Sequence, residues 1–187
     1  GQWWDDNPNG STFDIDAEQN LCLDGEKLVL VAGEYWKSGA EYRTERESFI
    51  RITQHGDSDS AWFEVKHKSG DVFHFGNSYS GYVTGAKATI GSRTTTWAVS
   101  RVEDAAGNYM LYQYDAGYAA KGITLIRRVD YTGNDSANIA PYNAVVFDYE
   151  ERHQSDYIES YNPSSAQTYL LTDRLRKITT LVEGNVF

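Results

Sequence analysis

The chain has 187 residues, room for one domain with a substantial core and too few for two. Its net charge of −10, with no run of five or more Lys/Arg, argues against a nucleic-acid binder working through a basic face. No apolar run reaches the roughly 20 residues of a membrane span, and no signal peptide opens the sequence.

Aromatic residues make up 14% of the chain, and Tyr alone supplies 14 positions. Such side chains suit half-buried pleated surfaces, so the expected fold class is all-β with little helix. Residues 1–19 read as an irregular N-terminal segment. Within it, Asp5, Asn7, Asn9 and Asp16 fall at positions one, three, five and twelve of a calcium-loop spacing, with Gly10 at the bend. Pro8 interrupts the spacing, Asp replaces the usual Glu at position twelve, and no flanking helices are evident. A plain turn is therefore the preferred reading, and no metal or cofactor is expected.

Leu21-Cys22-Leu23 makes Cys22, the single cysteine, a small buried hydrophobe. Leu28 to Ala32 reads as a strand covered on both faces. Phe49 to Thr53 begins another. Trp62 to His67 and Val72 to Phe75 form a hairpin across Lys68-Ser69-Gly70-Asp71, where Gly supplies the positive φ of a tight turn. A second hairpin joins Trp97–Val102 to Tyr109–Tyr114 through Asp104, Gly107 and Asn108. Ile123 to Tyr131 alternates apolar residues on one face, with Arg127 as the exception. Ala144 to Tyr149 and Leu175 to Val182 are further strands. Ser155 to Thr172 reads equally as a long loop or a short helix.

Strands at this spacing fit a long antiparallel hairpin strip, and equally a β-sandwich or a barrel. The start lacks an initiator Met, and Glu183-Gly184-Asn185 reads as a turn cut as its second strand begins. The expectation is a single β domain, 1–187, cut from a longer chain.

Two stretches carry a resemblance. Leu23-Asp24-Gly25, Tyr42-Arg43-Thr44-Glu45, Phe49-Ile50-Arg51-Ile52 and Phe75-Gly76 resemble, in order, the SpvB-like N-terminal domain of Tc-toxin B subunits and related RHS proteins. Val102-Glu103-Asp104, Gly107-Asn108 and Tyr112-Gln113-Tyr114-Asp115 resemble the D..GN…Y.YD unit of RHS/YD repeats. Phe147-Asp148-Tyr149-Glu150 and Arg174 to Ile178 look like later strands of that family. The resemblance implies an antiparallel strip of RHS-shell type: a secreted, non-catalytic wall segment enclosing a C-terminal toxic polypeptide. Its partners would be the remainder of its own shell chain, the enclosed toxin and an injection-component subunit. Asp104, Gly107, Asn108, Tyr114 and Asp115 would be structural turn residues.

Candidates for chemistry are weaker. Glu45-Arg46-Glu47 spells the E-x-E of ADP-ribosyltransferases, but Thr94-Thr95-Thr96 follows it, whereas those enzymes place a Ser/Thr-rich strand before it. His67 and His74 flank the first hairpin and are placed to face each other across it, without further zinc ligands. No spacing singles out a glycosidase carboxylate pair. The competing class is a carbohydrate-binding sandwich with Trp3, Trp4, Trp36 or Trp62 as stacking platforms. No enzyme is expected.

Overall fold

The computed structural model describes residues 12–15, 20–46, 49–77, 79, 85–162 and 167–186. The candidate calcium ligands Asp5, Asn7, Asn9 and Asp16, together with Trp3, Trp4 and Glu47, lie outside them.

The first strands follow one another by simple antiparallel pairing. β1 (Thr12–Ile15) pairs with β2 (Leu21–Leu23), and β2 turns through Asp24-Gly25 into β3 (Glu26–Ala32). Both turn residues have positive φ, 52° and 79°, as a two-residue hairpin turn requires. β4 (Glu41–Thr44), β5 (Arg51–His55), β6 (Trp62–Lys66) and β7 (Val72–Phe75) each pair with the strand before. β8 (Lys87–Ile90) and β9 (Arg93–Glu103) make the next hairpin.

β9 closes the ring. Its first half pairs with β1 (Phe13 opposite Trp97) and its second half with β7 (Phe73 opposite Val102). The Ala98 N–H donates to the Ala86 carbonyl at 2.8 Å, and the Ala98 carbonyl accepts from the Gly76 N–H at 2.9 Å. A strand residue points both groups to one side, so β7 and β8 share one edge of β9 while β1 takes the other. Strands β1 to β7 and β9 therefore form a closed eight-stranded antiparallel barrel. Closure leaves these strands no open edge.

A barrel of this size is filled by its own side chains. Phe13 stacks on Phe63 at 4.4 Å between centroids and meets Phe75 edge-on at 4.8 Å. Trp97 stands perpendicular to Phe63 at 5.5 Å and donates its indole N–H to the Ala61 carbonyl at 2.8 Å. Residues 33–40 fold inward at one end, with Trp36 against Trp97 at 5.7 Å. A buried polar chain fixes that end. The Trp36 N–H donates to Tyr42 Oη, which donates to Gln54 Oε1 at 2.8 Å, and Gln54 Nε2 donates to the Gly56 carbonyl. Gln54 is fully buried, and both its side-chain oxygen and nitrogen have partners.

β9 runs on past the barrel into an open strip. β10 (Asn108–Tyr114), β11 (Ile126–Asn134), β12 (Asn143–Glu151), β15 (Asp173–Val182) and the two-residue β16 (Asn185–Val186) follow in that order. A short helix, α1 (Ala116–Ala119), sits between β10 and β11. A separate hairpin, β13 (Ile158–Asn162) with β14 (Gln167–Leu171), sits between β12 and β15.

The all-β expectation therefore holds, with the barrel alternative realised in the first half and a strip in the second. Several readings need correction. Residues 12–15 of the segment read as irregular form a barrel strand, with Phe13 in the core. Leu28 to Ala32 is covered on one face only: Leu28 is buried, while Val29 and Val31 are about half exposed. Phe49 precedes its strand and is exposed. Within Ser155 to Thr172, read as a long loop or a short helix, a 3-10 turn is followed by two paired antiparallel strands, Ile158–Asn162 and Gln167–Leu171. Their Ile, Tyr, Thr and Leu residues fit strands better than helix.

Candidate functional site

The D..GN…Y.YD unit is the joint between barrel and strip. Asp104 Oδ1 accepts the Ala106 and Asn108 N–H groups at 2.8 and 2.9 Å, and Asn108 Nδ2 donates to Asp104 Oδ2 at 2.8 Å. These bonds hold the Asp104 carboxyl below its usual value, the Asn108 contacts foremost. Gly107 occupies the left-handed region at φ 81°, and a Cβ there would lie 2.8 Å from Ser136 Oγ. Asn134 Nδ2 bonds Asn108 Oδ1 at 2.8 Å, tying the next hairpin to this turn.

The other end of the unit is equally tied. Tyr114 is buried and donates to the Val99 carbonyl at 2.8 Å. Asp115 caps α1 by accepting the Tyr118 N–H at 2.9 Å, and takes both Nε and Nη2 of Arg127. Burial works to raise the Asp115 carboxyl, but the Tyr118 N–H and Arg127 outweigh it and leave it lowered. Arg127, the exception to the apolar alternation of β11, is thus placed to bridge Asp115 and the face of Tyr149, 4.8 Å from that ring. Tyr112 is partly buried, packing against both core clusters.

Tyr112 begins a mostly apolar face, interrupted by Asn143 on β12 and Thr180 on β15. It stands opposite Val129, which stands opposite Val145. On β12, Phe147 faces Ile178, Asn143 faces Val182 and, past a bulge, Tyr149 faces Leu175. Inside the barrel the equivalent face is wrapped shut. On the strip it opens: Leu175, Ile178 and Val182 are 47%, 55% and 36% exposed. Beyond β15, only the two residues of β16 pair with its outer edge among the described residues, leaving 173–180 without a strand there. An exposed apolar face beside an unpaired edge is a surface built for contact with more polypeptide.

The outer barrel wall carries an aromatic and charged ladder. Trp62 stacks on His55 at 4.0 Å and lies 5.2 Å from His74. His74 Nδ1 is hydrogen-bonded to Tyr79 Oη, and Nε2 is 3.6 Å from Glu64. His74 is opposite Glu64 in register, whereas His67 packs on Phe73 at 4.9 Å. The two histidines are therefore on opposite faces of the hairpin and do not face each other, which corrects the sequence reading. Neither Trp36 nor Trp62 is an open sugar platform: one fills the barrel end, the other is covered by His55. Glu45 and Arg46 sit in an exposed bend. Among the described residues no group of three or more His, Cys, Asp or Glu is arranged to hold a metal, and no helix is long and apolar enough to cross a membrane.

The ladder makes stability pH-dependent. Burial holds the His74 imidazole below 6.5 despite Glu64, and burial does the same to His67. The unfolded chain thus binds protons that the folded chain resists. Stability is complete above the unfolded value of about 6.5 and falls as pH drops through it towards the folded values. Urea midpoints are expected to fall between about pH 7.5 and about pH 5.5, less steeply in His74→Gln. A flat wild-type profile across that window would contradict the buried neutral imidazoles.

The geometry defines a class: a closed eight-stranded barrel that pays out into an antiparallel strip, the fold of SpvB-like, Tc-toxin-related domains. Two solved structures share it. The N-terminal domain of effector protein SpvB from Salmonella typhimurium strain LT2 superposes with a TM-score of 0.65 at 16% identity, over 92% of this chain and 75% of that one. TcdB2-TccC3-TEV gives the same TM-score and identity over 93% of this chain, which spans 11% of that molecule's length. No family model matches the sequence, and no curated protein matches it.

Proposed function

We propose that this chain is a non-catalytic wall segment of a secreted bacterial toxin shell of the RHS type, enclosing a C-terminal toxic polypeptide. The observation that carries the reading is the mostly apolar face of the strip. The equivalent face is sealed inside the barrel, and on the strip it opens along β12 and β15 beside an edge that no strand among the described residues covers on 173–180. The likeness to TcdB2-TccC3-TEV, in which the comparable region is a small part of a large molecule, supports it. The partners under this reading are later strands of the same shell, the enclosed polypeptide and an injection component. The D..GN…Y.YD unit serves as the joint that sets the angle between barrel and strip.

By itself the chain should then self-associate through its open face. Sedimentation velocity of residues 1–187 is expected to show concentration-dependent oligomers, and the double variant Leu175→Lys/Ile178→Lys to sediment as a monomer. A wild-type chain that stays monomeric at high concentration would contradict the proposed surface.

A further inference from the structure

A second contact surface lies on the outer barrel wall, independent of the wall role. An open cleft of about 770 Å³ is lined by Val31, Arg43, Phe49, Arg51, Lys66 and Lys68, and among its described lining residues Glu41 is the one carboxylate. In a chain of net charge −10 this concentration of cations is unexpected. It follows from register. Arg51 pairs with Lys66, and Arg43 follows Tyr42, which pairs with Ile52, so three cations stand abreast on β4, β5 and β6. Like charges placed opposite each other across strands destabilise a sheet.

The ion pairs of Arg51 and Lys66 leave both open to solvent. Arg51 pairs with Glu41, and Lys66 with Glu64 at 2.9 Å, yet Arg51 and Lys66 remain 65% and 54% exposed. Exposed pairs of this kind are weak. Beside the cations lie apolar groups. Phe49 is 72% exposed at φ 56°, an unusual backbone region for a bulky residue, with the Lys68 ammonium 5.9 Å from its ring. Val31 is 48% exposed.

We propose that this cleft binds an acidic polypeptide segment that carries apolar side chains. The charge pattern selects that occupant. Neighbouring strands are about 4.8 Å apart, so the cations are spread along a row and do not converge on one phosphate or carboxylate. A chain of carboxylates matches the row, and its apolar residues match Phe49 and Val31. A nucleic acid would extend its charge beyond the cleft over an acidic protein and be repelled.

The test is fluorescence anisotropy with a short labelled peptide alternating Glu and Leu, a Lys/Leu control and a labelled single-stranded oligonucleotide. The acidic peptide is expected to bind with an affinity that weakens as salt rises. Arg43→Glu/Lys68→Glu should weaken it by about tenfold or more, Lys68→Glu alone by less, and Arg93→Glu, at the far end of β9, should leave it unchanged. Circular dichroism melts confirm folding of each variant. Absence of acidic-peptide binding, equal binding of the basic peptide, tighter binding of the oligonucleotide, or an unchanged affinity in folded Lys68→Glu and Arg43→Glu/Lys68→Glu would each overturn the proposal.

Discussion

Trp97→Ala is expected to lower the unfolding free energy by about 4 kcal/mol, within the range for truncating a large buried aromatic. Trp97 is 1% exposed and touches both Phe63 and Trp36. Its removal leaves a cavity at the barrel centre and strips the Ala61 carbonyl of its indole donor at 2.8 Å. An orphaned buried carbonyl adds to the cavity cost. Gly76 shows how tightly the ring is held: a Cβ there would lie 2.3 Å from Trp97 Cδ1. Urea denaturation of wild type, Trp97→Ala and Trp97→Phe measures this. Trp97→Phe should lose less, because it keeps most of the volume. A loss below about 1 kcal/mol for Trp97→Ala would show that the barrel interior does not depend on this side chain.

Phe13→Ala is expected to cost about 3 to 4 kcal/mol and, unlike Trp97→Ala, to open the ring. Phe13 is fully buried and stacked on Phe63. It sits on the four-residue strand that joins β2 to β9. That strand is short: besides its ladders to β2 and β9 and the buried Ile15, the Thr12 N–H donates to Asp24 Oδ1 at 2.8 Å, and the Thr12 carbonyl accepts the Asp24 N–H at 2.9 Å. Losing the Phe13 anchor should free β1 and expose one edge of the first half of β9. Amide exchange is expected to quicken at Trp97 and its neighbours on β9 while β5 and β6 stay protected. Uniform quickening across all strands would mean that β1 is no separate closing element.

These two residues also mark where the sequence was readable. The β6–β7 and β9–β10 hairpins were legible because their signals are local: alternating apolar residues on each side of Gly-containing turns. The turn roles of Asp104, Gly107 and Asn108 were legible for the same reason. Barrel closure was not. Thr12 to Ile15 is too short a run to announce a strand, and its partner Trp97 lies far along the chain, so no local pattern links them. Arg127 looked like a flaw in an alternating strand because its partner, the Asp115 carboxylate, comes from another element. The open face of the strip was half visible: its apolar residues were assigned to strands, but which of them stay uncovered depends on the curvature that seals the barrel and not the strip.

Single-particle imaging of the longest gene product that contains residues 1–187 should show a further strand paired along 173–180 of β15, with Leu175, Ile178 and Val182 turned towards the inside of a closed shell. A map in which that edge stays unpaired and that apolar face looks out to solvent would contradict the wall role.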